Sequence, residues 1–352
     1  MKDEVGDPRA FGPWVLPRRP GEYVSAGKVA NLDQFATATL STVVGGDADG
    51  CRALDLRAAG GIDLRILPDR GFDLGSAWFR GVPLAWMSAV GERPPLDQLQ
   101  GKAWIEAFGG GLLTTCGLRN VGAPSEGHGL HGRYSHLVAA HVQVNRELDD
   151  GDVVLTAQAT IDEKQAPTVH LRLERTVRTR TGSGLVELSD ITTNLGSDSE
   201  PAPILYHVNV GLPLFDQGAR VEIDADGVLP RDADAEWGLD SWMEPGPPVP
   251  GAAEMVFEHR VRSDPSGWGR AAVVNPSLGL ELEIRWRQAE LPRFHQWVQP
   301  RQGIYALGLE PANCSVLGRA ADRAASRLPV LEPREARTTE LRILARPVRR
   351  AA

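Results

Sequence analysis

Glu310 is the residue whose setting most needs an explanation. It stands at the end of an apolar run, Gly303 to Asn313 reading GIYALGLEPAN, in which Ile304, Ala306, Leu307 and Leu309 are the apolar members and Pro311 follows at once. A carboxylate in so apolar a context costs several kcal/mol unless it is paired or hydrogen-bonded. It therefore needs a partner or a task, although the pattern also fits a strand-end glutamate facing water. His207 sits at the centre of a second apolar run, LYHVNV. A histidine and a glutamate form the minimal pair for general acid and base work near neutral pH. The imidazole titrates there, and a partly desolvated carboxylate is pushed up towards it. Taken singly, a histidine in such a run is more often a hydrogen-bonded core residue than a catalyst, and spacing alone does not bring the two together.

Two further groups could join them. Arg119, with Asn120, is carried out at the end of the run Leu112 to Leu118. The loop GHGLHGRYSH then holds His128, His131, Arg133 and His136, so that half of the chain's eight histidines lie between residues 128 and 141. His128 and His131 have a spacing open to metal ligation, but no set of further ligands accompanies them and no metal is expected. Phosphate-binding Gly loops, a GxSxG elbow and CxxC pairs are absent, so no nucleotide or redox cofactor is indicated.

The elements that must position these residues read as β-strands almost throughout. Phe35 to Val44 is rich in β-branched residues. Ala53–Arg57 and Ile62–Leu67 alternate apolar and polar residues across glycine turns, and two short strands follow PDRG. Asp69-Arg70-Gly71 reads as a turn with an ordinary ion pair, and GERPP at 91 to 95 as a surface loop. Trp104 to Phe108 reads as a brief helical turn. Leu137–Leu148, Val153–Ile161, Val169–Arg178 and Leu185–Thr193 are four successive alternating runs, the mark of an antiparallel sheet wet on one face. Ile204–Val210 is a strand, 227 to 252 is irregular, and strands recur near 254–261, 271–275, 278–287, 303–310 and 337–345. Only Leu317–Leu328, polar and Arg/Ala-rich, is a candidate for a longer helix. About fifteen strands and few short helices predict a single large, mainly antiparallel all-β sandwich over residues 31–347, with an N-terminal extension, 1–30, and a short tail, 348–352.

Composition narrows the partners. The chain has 352 residues with a net charge of −8 and no basic stretch long enough to follow a phosphate backbone, so nucleic acid is not expected. Three scattered cysteines suit a reducing compartment, and neither an apolar leader nor a membrane-length apolar window is present. A soluble cytoplasmic protein is the expectation, with homodimerisation through a sheet edge open.

The ordered strings LPDRGFDLG, GLRN, GHGLHGRYSH, LYHVNVG and YALGLEPAN resemble the aldose 1-epimerase (galactose mutarotase) superfamily, in particular its less characterised bacterial branch, across roughly residues 30 to 347. The resemblance implies a large antiparallel β-supersandwich with a small-molecule sugar in an open cleft on one sheet face. It implies Glu310 as general base and His207 as general acid, with His131 against the sugar and Arg119 in the cleft, and no cofactor. Trp297, in HQWVQP, is a stacking platform for the sugar or a core tryptophan.

Departures from the family pattern are also visible. The chain has HVNVGLPLF where mutarotases have an HPYFNL-like string, and the acid that grips sugar hydroxyls has no clear match among Asp232, Asp234, Glu236 and Asp240. His128 with Arg133 points to a more anionic or modified sugar. The implied activity is interconversion of sugar anomers. The alternatives are a non-catalytic sugar-binding module, or an isomerase or lyase acting on a modified or acidic sugar. The lyase reading lacks a helical partner domain and has only four tyrosines to draw on.

Overall fold

The computed structural model describes residues 16–348. Alternation along the strands produces two broad antiparallel sheets, one of eleven strands and one of eight, with a two-stranded pair, Glu200–Pro201 and Val330–Leu331, beside them. One continuous apolar core, with members from Ala36 to Ala345, lies between the sheets. The fold class read from the sequence is the one observed.

The four alternating runs become the strands Ala140–Asp149, Asp152–Gln165, Val169–Arg180 and Leu185–Asn194. They are consecutive neighbours in the eight-stranded sheet. The eleven-stranded sheet carries the candidate residues. From the middle of the sheet to its edge, the neighbours are Leu113–Gly117, Ile204–Val210, Ala306–Ala312, Arg293–Gln299, Met255–Val261 and Ala225–Pro230, in that order.

Three details differ from expectation. The Glu310 strand begins at Ala306, after a turn in which Gly303 and Tyr305 have positive φ, and it continues through Pro311 to Ala312. Glu310 is therefore inside the strand, not at its end. Arg293–Gln299 is a strand that alternation does not reveal, because His295 and Gln296 are buried on opposite faces and erase the apolar–polar period. Ala225–Pro230 is likewise a strand reaching into the stretch read as irregular. The Trp104 turn is a 3-10 helix, Ala103–Ala107, and the Arg/Ala-rich segment forms the helix Arg319–Ala324.

Of the N-terminal extension, residues 1–15 lie outside the described part, as do 349–352 of the tail. The helix Pro20–Ser25 rests on the hairpin turn of the eight-stranded sheet, where Gly21 N donates to Gly151 O at 2.9 Å. Among the described residues no helix is long and apolar enough to cross a membrane.

A charged network pins the two sheets together beneath the candidate site. Arg175, wholly buried, donates to both oxygens of Asp190 at 2.9 and 2.7 Å, to Asp73 at 2.8 Å and to Thr115 at 2.9 Å. Tyr206 O–H donates to the same Asp190 at 2.7 Å. Buried charges are tolerated only when paired and hydrogen-bonded as fully as this. Because Thr115 and Tyr206 belong to adjacent strands of the large sheet, the network also fixes the strand that bears His207.

Candidate active site

Period two decides which side chains meet. On Ile204–Val210, Tyr206 and Val208 enter the inter-sheet core, so His207 and Asn209 face the other way. On Ala306–Ala312, Leu307 and Leu309 enter the core and Gly308 and Glu310 share the opposite face. Asn209 and Trp297 both pair with Gly308 across the sheet. Loops cover this second face, and both strands are buried along their whole length.

His207 and Glu310 come together there. Nε2 of His207 lies 3.2 Å from Oε1 of Glu310, and the two residues are 4% and 2% exposed. Among the described residues, neither Glu310 Oε1 nor His207 Nδ1 has a hydrogen-bond partner. Polar atoms left open in so dry a place are costly, and they mark where a ligand would bind. Gly308 explains the close approach. A Cβ at this position would lie 2.6 Å from Glu310 Oε1, 2.9 Å from His207 Cε1 and 3.1 Å from Trp297 Cβ.

Burial pushes the Glu310 carboxyl up to about 8, with Glu254 adding to the rise and Arg231 opposing it. Burial takes His207 down to about 3, with the His131 ring acting in the same direction and the Asn209 amide against it. Around neutral pH the pair therefore holds a single proton, which rests on Glu310. This has a consequence for stability. Glu310 binds its proton more tightly folded than at its ordinary value of 4.5, so its stabilising contribution is complete below pH 4.5 and is lost as pH rises through about 8. Glu310→Gln should melt several degrees above wild type at pH 8.5 and close to it at pH 4.5. Paired thermal melts at the two values check this. Glu163 and Asp73, raised by burial to about 7 and about 6, add the same slope to both proteins and cancel in the comparison.

The pair forms the floor of a cleft of about 770 Å³, within the usual range of small-molecule sites. Aromatic rings wall it. Phe108 and Trp297 lie 5.4 and 5.3 Å from the His207 ring, and Trp86 lies 5.6 and 5.8 Å from those two. Trp104 stacks on Phe108 at 4.5 Å. Trp86 Nε1 donates to Ile304 O at 2.8 Å and Trp297 Nε1 to Glu254 Oε2 at 2.9 Å, so both indoles are held by their polar edges. Arg70 steadies the aromatic wall. Its guanidinium donates to the carbonyls of Ser135, Arg93 and Ala107 at 2.6, 3.2 and 2.9 Å, and the ion-pair partner of Asp69 is Arg52. The turn ion pair expected at Asp69-Arg70 is thus replaced by a clamp on three loops.

The six residues singled out from the sequence separate into two groups. Glu310, His207, His131 and Trp297 line the cleft. His131 is 6.2 Å from His207, and burial holds it down at about 4. Arg119 and His128 do not line it. Arg119 turns away from the cleft, pairing with Glu200 of the two-stranded pair at 2.8 Å and donating to Gln165 of the eight-stranded sheet. His128 lies in a tight turn with Ser125 that faces the helix Arg319–Ala324, and it accepts from Arg319 Nη1 at 2.9 Å. Arg133 is exposed and also outside the lining.

Of the four acidic candidates between His207 and Glu310, only Asp232 reaches the cleft. It caps the short helix Ala233–Glu236 and pairs with Arg231 at 2.7 Å. Glu254 was not singled out, yet it lines the cleft, holds Trp297 and pairs with Arg231 at 3.0 Å. Its only sequence signal is a lone acid just before the apolar strand Met255–Val261.

A protein-family model described as "Domain of unknown function (DUF4432)" matches residues 48–344. No curated protein matches the chain. Among solved structures, it is similar to a "putative aldose 1-epimerase" from Klebsiella pneumoniae, with 23% identity and a TM-score of 0.84 over 94% of this chain and 90% of that one. It is also similar to a galactose mutarotase-like protein from Clostridium acetobutylicum, with 14% identity and a TM-score of 0.60 over 90% and 100% of the two chains. A third is a galactose 1-epimerase from Lactobacillus acidophilus, with 11% identity and a TM-score of 0.51 over 89% and 99%. At these identities the likeness concerns the fold, which is the galactose mutarotase-like sandwich.

Proposed function

The chain belongs to the family described as a domain of unknown function, DUF4432, and from the chemistry of its cleft we propose that it is a mutarotase-like isomerase that interconverts the anomers of a sugar. The observation that carries this reading is the buried His207 and Glu310 pair, 3.2 Å apart on the floor of an aromatic cleft. Aromatic rings offer apolar faces to the C–H face of a sugar. Trp297 is the platform nearest the pair, while Glu254, Asp232 and Arg231 are placed to meet sugar hydroxyls.

Anomer exchange needs one base and one acid. Glu310, as carboxylate, takes the proton of the anomeric hydroxyl while His207, as imidazolium, gives one to the ring oxygen. The bond between the anomeric carbon and the ring oxygen breaks, leaving an aldehyde and a hydroxyl. The pair is now a carboxylic acid and a neutral imidazole, the form that burial favours in the free site. Rotation about the bond between the first and second carbons presents the other aldehyde face. His207 then takes back the proton from the hydroxyl as Glu310 returns one to the aldehyde oxygen, and the ring closes as the other anomer. The pair's proton count does not change, and no net proton is consumed.

The reading sets a pH dependence. With one shared proton required, kcat/KM should be level from about pH 4 to about pH 7. It should fall about tenfold per unit above pH 8, where Glu310 loses that proton and His207 stays neutral. A profile of anomer exchange corrected for buffer catalysis tests it. Activity that rises through pH 8 would contradict the assignment. The expectation of an anionic sugar loses its support, since His128 and Arg133 lie outside the cleft.

A further inference from the structure

The cleft has two chemically different ends. Arg231, Asp232 and Glu254 come from the Ala225–Pro230 and Met255–Val261 side of the sheet. Arg231 is held by both carboxylates, at 2.7 and 3.0 Å, so this end offers a neutralised cation and free carboxylate lone pairs, suited to hydroxyl groups.

The opposite end is built by loops beside Leu113–Gly117. Trp104 and Ile105 come from the 3-10 helix Ala103–Ala107, and Leu317 follows the Glu310 strand, where it bridges to Gly122. Ile105 is 52% exposed and Leu317 49% exposed, although both line the cleft. Large aliphatic side chains left wet at the mouth of a pocket mark an apolar contact surface waiting for a ligand. The one cation among the described lining residues at this end is Lys102, exposed on the rim, and with Arg231 it only balances Asp232 and Glu254. A single unsubstituted aldose, hydroxylated on all sides, would leave this end uncovered.

We propose that the substrate is an uncharged reducing sugar carrying an apolar substituent, such as an O-acyl or O-alkyl group or an aryl ring, which lies over Trp104, Ile105 and Leu317 while the sugar hydroxyls face Glu254 and Asp232. The proposal rests on the reading of the cleft as a sugar site. The substituent is on an oxygen other than the anomeric one, since ring opening needs that hydroxyl free.

The test compares kcat/KM for anomer exchange of glucose and galactose, their monobenzyl ethers at O3, O4 and O6, and the matching uronates, with tryptophan fluorescence titration of each sugar in parallel. At least one benzyl ether should exceed its parent sugar tenfold or more in kcat/KM, in line with the free energy of covering apolar surface. The uronates should be poorest. Ile105→Ser and Leu317→Ser should each bring the ratio of benzyl ether to parent back towards one. Parents that match or exceed every ether, uronates that exceed both, or rim variants that leave the ratio unchanged would each overturn the proposal while leaving anomer exchange intact. If no sugar is turned over, yet benzyl ethers bind tenfold tighter than parents and lose that advantage in Leu317→Ser, the isomerase reading fails and the apolar subsite stands.

Discussion

Glu310→Gln should lower kcat for anomer exchange by at least about 10³-fold while leaving sugar affinity within a few-fold of wild type. The substitution keeps the side-chain shape on the crowded cleft floor, so neither the Gly308 contact nor the aromatic wall need move. What it removes is the one group able to take the anomeric proton and return it. Proton transfer by a positioned side chain is worth roughly 10²–10⁴-fold, and the upper part of that range applies because the pair is buried and, among the described residues, no second carboxylate pairs with His207. Glu254 lies on the floor's polar side, bound to Arg231 and Trp297, and is not free to replace it. Polarimetry at several protein concentrations, with fluorescence titration of the same sugar, separates the two quantities. A variant that keeps a tenth or more of wild-type kcat would remove Glu310 from the chemistry.

Gly308→Ala should cost roughly 10²–10³-fold in kcat/KM with only a modest loss of stability. The backbone of Gly308 is ordinary extended strand, so the constraint is space rather than conformation. The added methyl would lie 2.6 Å from Glu310 Oε1, 2.9 Å from His207 Cε1 and 3.1 Å from Trp297 Cβ. Two of these contacts are with ends of side chains that can rotate away. The strand therefore survives, at about 1–3 kcal/mol for overpacking. The acid, the base and the stacking ring are all displaced, however, and misplacement of about 1 Å is enough to cost 10²-fold in rate. A denaturant melt beside the kinetics distinguishes a folded, inactive variant from an unfolded one. A variant as active as wild type would mean that the close approach of His207 and Glu310 does not matter.

The parts of the fold that were legible in the sequence are those governed by period two. The three alternating runs from 153 to 193, wet on one face, and the apolar strand around His207 appear where the pattern puts them, whereas the first run becomes the edge strand Ala140–Asp149, which buries neither face. The strand Arg293–Gln299 was hidden because its buried positions include the polar His295 and Gln296, whose hydrogen-bond partners lie elsewhere in the chain. The Arg175 network was hidden for the same reason, since Asp73 lies 102 residues away from it.

In the site, His207, Glu310 and His131 were reached through family strings and Trp297 as a candidate stacking platform; strand pairing brings His207, Glu310 and Trp297 together, and a loop adds His131. Arg119 and His128 stand in the same strings but leave by the other side. Motif proximity cannot tell which way a side chain turns once its strand has ended. Arg231 carries no local signal and Glu254 only that of an acid just before a strand, and their place in the cleft depends on a chain path that crosses the sheet. Trp86, Trp104 and Phe108 become a wall through contacts largely distant in the chain: the Trp86 bond to Ile304, the ring contacts among them and the Arg70 clamp beside Phe108.

The measurement that bears most directly on the central claim is saturation transfer between the two anomeric proton signals of a sugar. It would be run with wild-type protein and with Glu310→Gln at equal concentration, on a panel that includes the benzyl ethers. The account expects exchange that accelerates in proportion to wild-type protein, stays at the buffer rate with the variant, and is fastest for an uncharged, apolar-substituted sugar. Exchange at the buffer rate with both proteins, while line broadening shows that the sugar binds, would contradict it and leave a sugar-binding protein in its place.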